Sequence, residues 1–325
     1  MNELRLAVGT GCPDDTAGPR SLGRLALVTE SLADGGRRLS AYAHGGAVAS
    51  VEARVTGALE DAGLTGVLSR FESVNSTEAA RMVLRRAAQW LGGAGAVRVI
   101  GPMEADTWHR YRLTTGPFDE PPFSFEPWNP SYYHDLWCAA GFEPLLGFYS
   151  KRLDDLELAH ARLARKRELA RALGYELRPV DPGRFDDDLV VMYRIASRSF
   201  ARAPFYRPIP IDVFARLYQP MRAVLEPSLV WIATSRRGDE AGFIFSYAEP
   251  GTAGEVINAK TIAVAPAHRA RGLDSALVSR IYAAALDRGI PRVNFCLVRD
   301  GNPSGSLDAR TGRVFRRYAL YQFEG

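Results

Sequence analysis

Lysine is almost missing from this chain. Of 41 basic residues only Lys151, Lys166 and Lys260 are lysines, and the rest are arginine. Arginine used for lysine, beside abundant alanine and glycine, is the signature of a GC-rich coding sequence. The basic total alone therefore argues for no nucleic-acid partner. Cysteine is scarce too. Cys12, Cys138 and Cys296 lie far apart, which speaks against a disulfide framework and offers no zinc spacing. The five histidines add no metal-ligand pattern, so no metal is expected. No apolar run is long enough to span a bilayer. Met1 to Asp15 carries glycines and acids where a signal peptide has an apolar core. Together these absences lead to the expectation of a reduced, cytoplasmic protein with no membrane attachment. Oligomeric state stays open.

What is present is a globular composition, 46% hydrophobic and 24% charged over 325 residues, enough for two domains with full cores. Charge is unevenly placed. Residues 1–150 hold 13 arginines against 17 acids, a net of −4, while the remainder has 28 basic against 20 acidic residues, a net of +8. Lys260 to Arg317 alone holds 11 basic and 4 acidic residues. A positive field of this kind suits a polyanionic ligand.

The centre of that field has a legible pattern. Val256 to Val264 is a β-branched run closed by Pro266, hence a strand. A short basic loop follows, Ala267-His268-Arg269-Ala270-Arg271-Gly272. It opens into a helical pattern through Leu277, Ile281, Ala284 and Leu286, ended by Gly289 and Pro291. A second strand spans Val293 to Val298. Strand, arginine-rich glycine loop, helix, strand is a device for holding a phosphate at a helix N-terminus, where free N–H groups and the helix dipole face the anion.

This segment resembles the acyl-CoA-binding core of the GNAT acyltransferases, whose signature is Gln/Arg-x-x-Gly-x-Gly/Ala between the fourth strand and the next helix. Arg269, Ala270, Arg271 and Gly272 follow it, leading to Ser275; Asp274 stands where the family has a small residue. The resemblance implies an acyl-CoA donor (acetyl-CoA or a larger acyl-CoA), with phosphates on this loop and a backbone N–H between Ile262 and Val264 polarising the thioester carbonyl.

The flanking order supports the same likeness. Tyr175 to Val180 reads as an entry strand, Phe185 to Phe200 and Ile211 to Leu225 as helices, Leu229 to Thr234 and Ala241 to Tyr247 as a hairpin about Arg236 to Glu240. Leu153 to Leu173 is a charged helical stretch stopped by Gly174. In the N-terminal half, Phe71 to Glu78, helical Ala79 to Leu91 and the strand Val97 to Ile100 repeat strand-helix-strand, with Asn75, Ser76 and Glu78 where the phosphate loop would be. The expected fold class is α/β with a mixed sheet: two GNAT-like domains in tandem, each a central mixed β-sheet flanked by helices. The expected bounds are 1–152 for a degenerate copy, 153–174 for a basic helical linker and 175–325 for the acyltransferase domain.

Gly101-Pro102-Met103, Gly116 to Pro122, Glu126 to Tyr133 and Ala140-Gly141-Phe142 resemble a bacterial group of tandem GNAT proteins. These share a Gly-Pro-Met turn, a Gly-Phe-Asp-x-Pro-Pro segment (here one residue longer) and an Asn-Pro-x-Tyr-Tyr element. So dense a run of aromatics and prolines suits a pocket wall or a packed loop equally. On the first alternative Trp128, Tyr132 and Tyr133 contact the acceptor.

Amine acylation by a thioester calls for a base, a carbonyl polariser and a donor for the leaving thiolate. By position Glu255 is the expected base. Asn258 and Lys260 are polar breaks in an apolar strand and share a face with Ile262. The family's resemblance places an Asn after the fifth strand, matched by Asn302; Ser304 occupies the same loop, and the family's tyrosine has no match there before Tyr318 and Tyr321. The leading expectation is an acyl-CoA-dependent N-acyltransferase acting on a small-molecule amine. The alternatives are an aminoacyl-tRNA-dependent aminoacyltransferase, with tRNA as partner, and a catalytically inactive ligand-binding GNAT pair.

Overall fold

Residues 18–58, 63–302 and 312–324 are described in a computed structural model. The chain divides into two compact units, residues 1–147 with 316–325, and residues 148–315.

In the first unit an antiparallel meander leads into a helical crossover. Its strands are β1 (Ala26–Ser31), β2 (Arg37–Ala43), β3 (Gly46–Ala58) and β4 (Leu64–Ser73). Helix α1 (Thr77–Gly93) then carries the chain to β5 (Arg98–Gly101), parallel to β4. Ser76 caps α1 by accepting the Ala79 N–H at 3.4 Å. The helix buries Ala80, Val83, Leu84, Ala87 and Leu91, a stripe of 3.6-residue period, against the sheet. The short strand β6 (Leu113–Gly116) and helix α2 (Tyr133–Ala139) complete this run, and β7 (Glu143–Leu153) carries the chain on.

The second unit begins with Phe148, within β7. Helices α3 (Leu156–Arg162) and α4 (Ala164–Ala172) come next, broken at Leu163, and then β8 (Glu176–Pro179). Leu156, Ala159, Leu163 and Ala170 belong to this unit's core, so the stretch expected as a linker packs as part of the unit. Helix α5 (Phe185–Phe200) starts with three aspartates on its positive dipole end, and Asp188 also accepts Arg178 at 2.5 and 3.1 Å. Helix α6 (Ile211–Tyr218) is shorter than the pattern suggests, because Pro220 turns the next residues into a 3-10 segment.

Strands β9 (Val230–Thr234), β10 (Glu240–Ala248) and β11 (Val256–Val264) form an antiparallel meander. Helix α7 (Leu273–Asp287) then crosses to β12 (Arg292–Arg299), parallel to β11. The strand order is β7-β12-β11-β10-β9-β8. The last strand, β13 (Gly312–Phe323), returns the chain to the first unit, where it pairs with β5 and β6. Each unit is thus an α/β fold with a mixed sheet in which a meander ends in a parallel strand-helix-strand crossover. No helix among the described residues is long and apolar enough to cross a membrane.

The proline-rich segment of the first unit is held by a buried ion pair. Arg316 and Glu126 have fully buried side chains and meet at 3.2 Å. Arg316 also donates to the carbonyls of Pro117, Glu120 and Pro121, and its guanidinium lies 4.8 Å from the Trp128 ring. Tyr318 donates to Glu126 as well. Burial pushes the Glu126 carboxyl up, against the pull of Tyr318 and Arg316. Arg316→Met leaves that carboxylate uncompensated and should cost about 3–5 kcal/mol in urea unfolding. A neutral Glu126 needs no counter-charge, so the loss should be largest above its raised pKa and shrink as pH falls through it. A loss independent of pH would contradict this reading.

Candidate functional site

The second unit carries the site. Strands β11 and β12 pair from Val256↔Arg292 to Ala259↔Phe295 and no further, although both strands continue. Both strands are irregular there: β12 shifts register against β7 between Phe295 and Val298, with Leu297 left-handed at φ +58°, and β11 carries a bulge. Lys260 is an extra residue against β10, between Phe245↔Thr261 and Ser246↔Ala259, and such a bulge bends its strand. Past it, the two parallel strands splay into a wedge. Ala265 donates its N–H to Ala241 on β10. Alternation along the antiparallel ladder therefore turns the Ile262 and Val264 amides the other way, toward the wedge.

The loop after β11 faces the same end of the sheet. Pro266–His268 form a 3-10 turn, and Ala270 and Gly272 both have left-handed backbones, φ +58° and +76°. Among the described residues no hydrogen bond engages the N–H groups of Ala270, Arg271, Gly272, Leu273 or Asp274. Successive amides in such a turn form an anion-binding concavity. Arg269 is a brace: it donates to the Ser199 carbonyl at 2.6 Å and the Val264 carbonyl at 3.3 Å, tying the loop to α5. Arg271 is exposed. Asp274 folds back, accepting the Ser275 N–H at 2.7 Å, and so takes the one amide that the buried Ser275 would offer an anion. His268 meets the Tyr175 hydroxyl at 3.0 Å, and burial pushes its pKa down, with Arg271 and Arg198 acting in the same direction.

Beside the loop opens a groove of about 1320 Å³. Among the described residues Arg198, Arg202, Arg236, Arg237, Arg269 and Arg271 line it, with two acids, Asp239 and Glu240. The positive field expected around the loop is therefore concentrated on one concave surface.

The sheet face that carries Asn258 is polar across several strands. Arg152 on β7 donates to Asn294 Oδ1 at 3.1 Å, Asn294 Nδ2 donates to Asn258 Oδ1 at 2.9 Å, and Asn258 Nδ2 donates to Glu249. The Cys296 thiol lies 3.7 Å from Asn258 Oδ1. Lys260 places its ammonium 4.9 Å from the Tyr218 ring, whose hydroxyl is 3.4 Å from Thr261 Oγ1.

The expected residues fall into distinct places. Ile262, Val264, Arg269, Ala270, Arg271, Gly272, Asp274 and Ser275 gather at the mouth of the wedge. Asn258 and Lys260 stand at its apex. Glu255 does not join them: it is exposed in the β10–β11 turn, 3.6 Å from Arg292. Asn302 is half-buried in the turn after β12, and Ser304 lies outside the described residues. Trp128, Tyr132 and Tyr133 are packing residues of the first unit. Trp128 lies between Arg316 and Phe118, while the hydroxyls of Tyr132 and Tyr133 bond the Ser73 backbone at 3.1 and 3.0 Å. Sequence reasoning missed Glu249, Asn294, Arg152 and Tyr218. The alternation that puts Asn258 on this face extends through its partner Tyr247 to Glu249, and it is the signal that finds the carboxylate.

Among the described residues no group of three or more His, Cys, Asp or Glu is placed to hold a metal ion.

Gly272 has a structural duty independent of any ligand. A Cβ there would strike the Lys166 carbonyl of α4, and its φ of +76° is left-handed. Gly272→Ala should therefore cost about 2–4 kcal/mol from strain and overpacking together, read as a lower Tm with no ligand present. An unchanged Tm would show that α4 does not rest on the loop.

Residues 191–305 match the acetyltransferase (GNAT) family. No curated protein matches the chain in sequence. Among solved structures, a GCN5-related N-acetyltransferase from Sphaerobacter thermophilus is 15% identical with a TM-score of 0.50, the match covering 88% of this chain and 80% of that one. The GCN5-related glucosamine N-acetyltransferase region of a fungal multi-domain GH3 β-N-acetylglucosaminidase is 12% identical, also with a TM-score of 0.50. That match covers 89% of this chain and 33% of the fungal protein. At such identities the likeness is one of fold.

Proposed function

We propose that this chain is an N-acyltransferase whose C-terminal half, matched by the acetyltransferase (GNAT) family over residues 191–305, transfers an acyl group from acyl-CoA to a small-molecule amine. The observation that carries the proposal is the wedge that opens beyond Ala259↔Phe295, with the unbonded amides of Ala270 to Asp274 at its mouth. GNAT domains bind acyl-CoA, and the wedge has the right parts in order. The donor's pyrophosphate takes the loop amides, with Arg271 at the rim. The pantetheine chain runs between β11 and β12. The thioester carbonyl meets the Ile262 or Val264 N–H. The amine then adds to the carbonyl carbon, a C–N bond forms, the C–S bond breaks, and the N–H stabilises the oxygen as it gains charge.

A second reading has its own observation. The exposed Arg162, Arg165, Lys166 and Arg171 of α3 and α4 extend the basic surface, and α4 leads to Leu173 on the groove wall. A surface of that extent fits an aminoacyl-tRNA donor, whose binding would fall steeply with salt.

Two substitutions bear on the donor loop. Arg271→Ala should weaken acetyl-CoA binding by about 1–3 kcal/mol, the scale of a lost charge-assisted contact. Asp274→Ala should strengthen it by about 1 kcal/mol, because a carboxylate leaves the vicinity of the pyrophosphate and the Ser275 amide is released. Calorimetric titration reads both, and wild-type affinity in both variants would end the proposal. Activity in lysate fractions that is abolished by ribonuclease and indifferent to CoA thioester would establish the tRNA reading instead.

A further inference from the structure

The polar chain that runs from β7 through β12 and β11 to Glu249, just past β10, has a direction, and the direction follows from chemistry alone. A guanidinium has only donors. Arg152 Nε, 3.1 Å from Asn294, must therefore meet its oxygen. That leaves the Asn294 amide nitrogen to donate to Asn258 Oδ1 at 2.9 Å. The Asn258 nitrogen is then the group that faces Glu249 Oε2. Three hydrogen bonds in series thus point from a fixed positive charge to a carboxylate. Asn258 is fully buried and Asn294 nearly so, at 0% and 2% exposure, so solvent does not compete for these bonds. The Glu249 backbone is pinned as well, its N–H to the Val256 carbonyl at 2.9 Å and its carbonyl to the Thr252 hydroxyl at 2.8 Å.

The chain ends on Glu249, held against Asn258 beside the closed end of the wedge. Asn258 is two residues before the Lys260 bulge, at the apex of the wedge, on the face that Tyr218 and α6 cover. Glu255, the carboxylate nearest in sequence, is 58% exposed, while Glu249 is half-buried.

We infer that Glu249 is the catalytic base of this site and that Asn258, Asn294 and Arg152 are positioning residues that hold its carboxylate ionised and oriented. The inference rests on the acyltransferase reading above. In the step it describes, a Glu249 oxygen takes a proton from the attacking ammonium or amine. The nitrogen lone pair forms the C–N bond, the C–S bond breaks, and the thiolate leaves and is protonated by solvent. A polarised series of hydrogen bonds favours the anionic form of its terminal acceptor. The base is therefore kept unprotonated, and each positioning residue contributes without touching the acceptor.

The test uses the full chain, acetyl-CoA and three probe amines: benzylamine, spermidine and hydroxylamine. The first two are protonated at neutral pH and need a base, whereas hydroxylamine is already unprotonated there. Release of CoA thiol is followed as a function of pH. Glu249→Gln should lower kcat/KM for the two alkylamines by on the order of 10²–10⁴-fold, lower it far less for hydroxylamine, and leave acetyl-CoA affinity unchanged. Arg152→Gln should retain activity but move the acid limb of the pH profile up by about one unit, as the chain loses its charge. The other titratable groups beside the chain, among the described residues, are Tyr247, opposite Asn258, Cys296, Lys260 and Tyr218. None of them predicts that Glu249→Gln removes the acid limb. Alkylamine turnover by Glu249→Gln equal to wild type, an unmoved acid limb in Arg152→Gln, or wild-type turnover no faster than buffer with all three amines would each overturn the inference while acetyl-CoA binding stands. Absence of acetyl-CoA binding by the wild-type protein would instead remove the donor reading beneath it.

Discussion

The site depends on one interruption. Four residue pairs join β11 to β12, and the ladder then stops where Lys260 adds a residue against β10 and β12 shifts register against β7 between Phe295 and Val298. Without that break the Ile262 and Val264 amides would be spent on β12, no cleft would admit a thioester, and the loop beyond would face a closed sheet. With it, backbone donors become available in a protected place, where they are worth more than in water. Helix α7 gives the same opening a charged mouth through its dipole and its unbonded first amides.

The first unit has an interruption of the same kind but no basic loop: β4 shifts register against β3 at Arg70–Phe71 and pairs with β5 only from Thr65↔Arg98 to Val67↔Ile100. Strands β4 and β5 also pair in parallel around a helix. There the helix start is closed by its own cap, Ser76, and the connecting residues carry no arginine between Ser73 and Thr77. The aromatic segment that follows is consumed by packing: Phe71, Tyr133, Trp137 and Phe142 make edge-to-face contacts at 4.9 to 5.6 Å, and Arg316 locks the proline-rich turn. A crossover of the same order thus serves the core in one unit and offers a site in the other, the difference residing in a few loop residues.

Much of this was legible in the sequence, for reasons that differ by element. Val256–Val264 and Phe185–Phe200 could be bounded by residue, because a proline or a run of aspartates marks an end and the apolar period is strong. The Arg-x-x-Gly loop was visible because its glycine has one conformational use. Strands β1 to β3 were not, since segments such as Gly46–Ala58 are rich in alanine and glycine and carry little β signal. The Glu249 carboxylate was hidden for a similar reason. Glu255 is near the strand in sequence, whereas Glu249 reaches Asn258 across a hairpin whose register only the structure supplies. Trp128, Tyr132 and Tyr133 looked like a pocket wall because dense aromatics look alike whether they line a cavity or fill one. Their hydrogen-bond partners, Ser73 among them, decide between the two.

The central claim is that the opened edge of β11 and the loop after it receive the acyl donor. Amide hydrogen exchange of the full chain, with and without acetyl-CoA, tests it most directly. The account predicts slowed exchange confined to residues 260–276 and 296–299, with the β4–α1–β5 segment of the first unit unchanged. Protection at residues 64–101, or none in either unit at saturating acetyl-CoA, would contradict it.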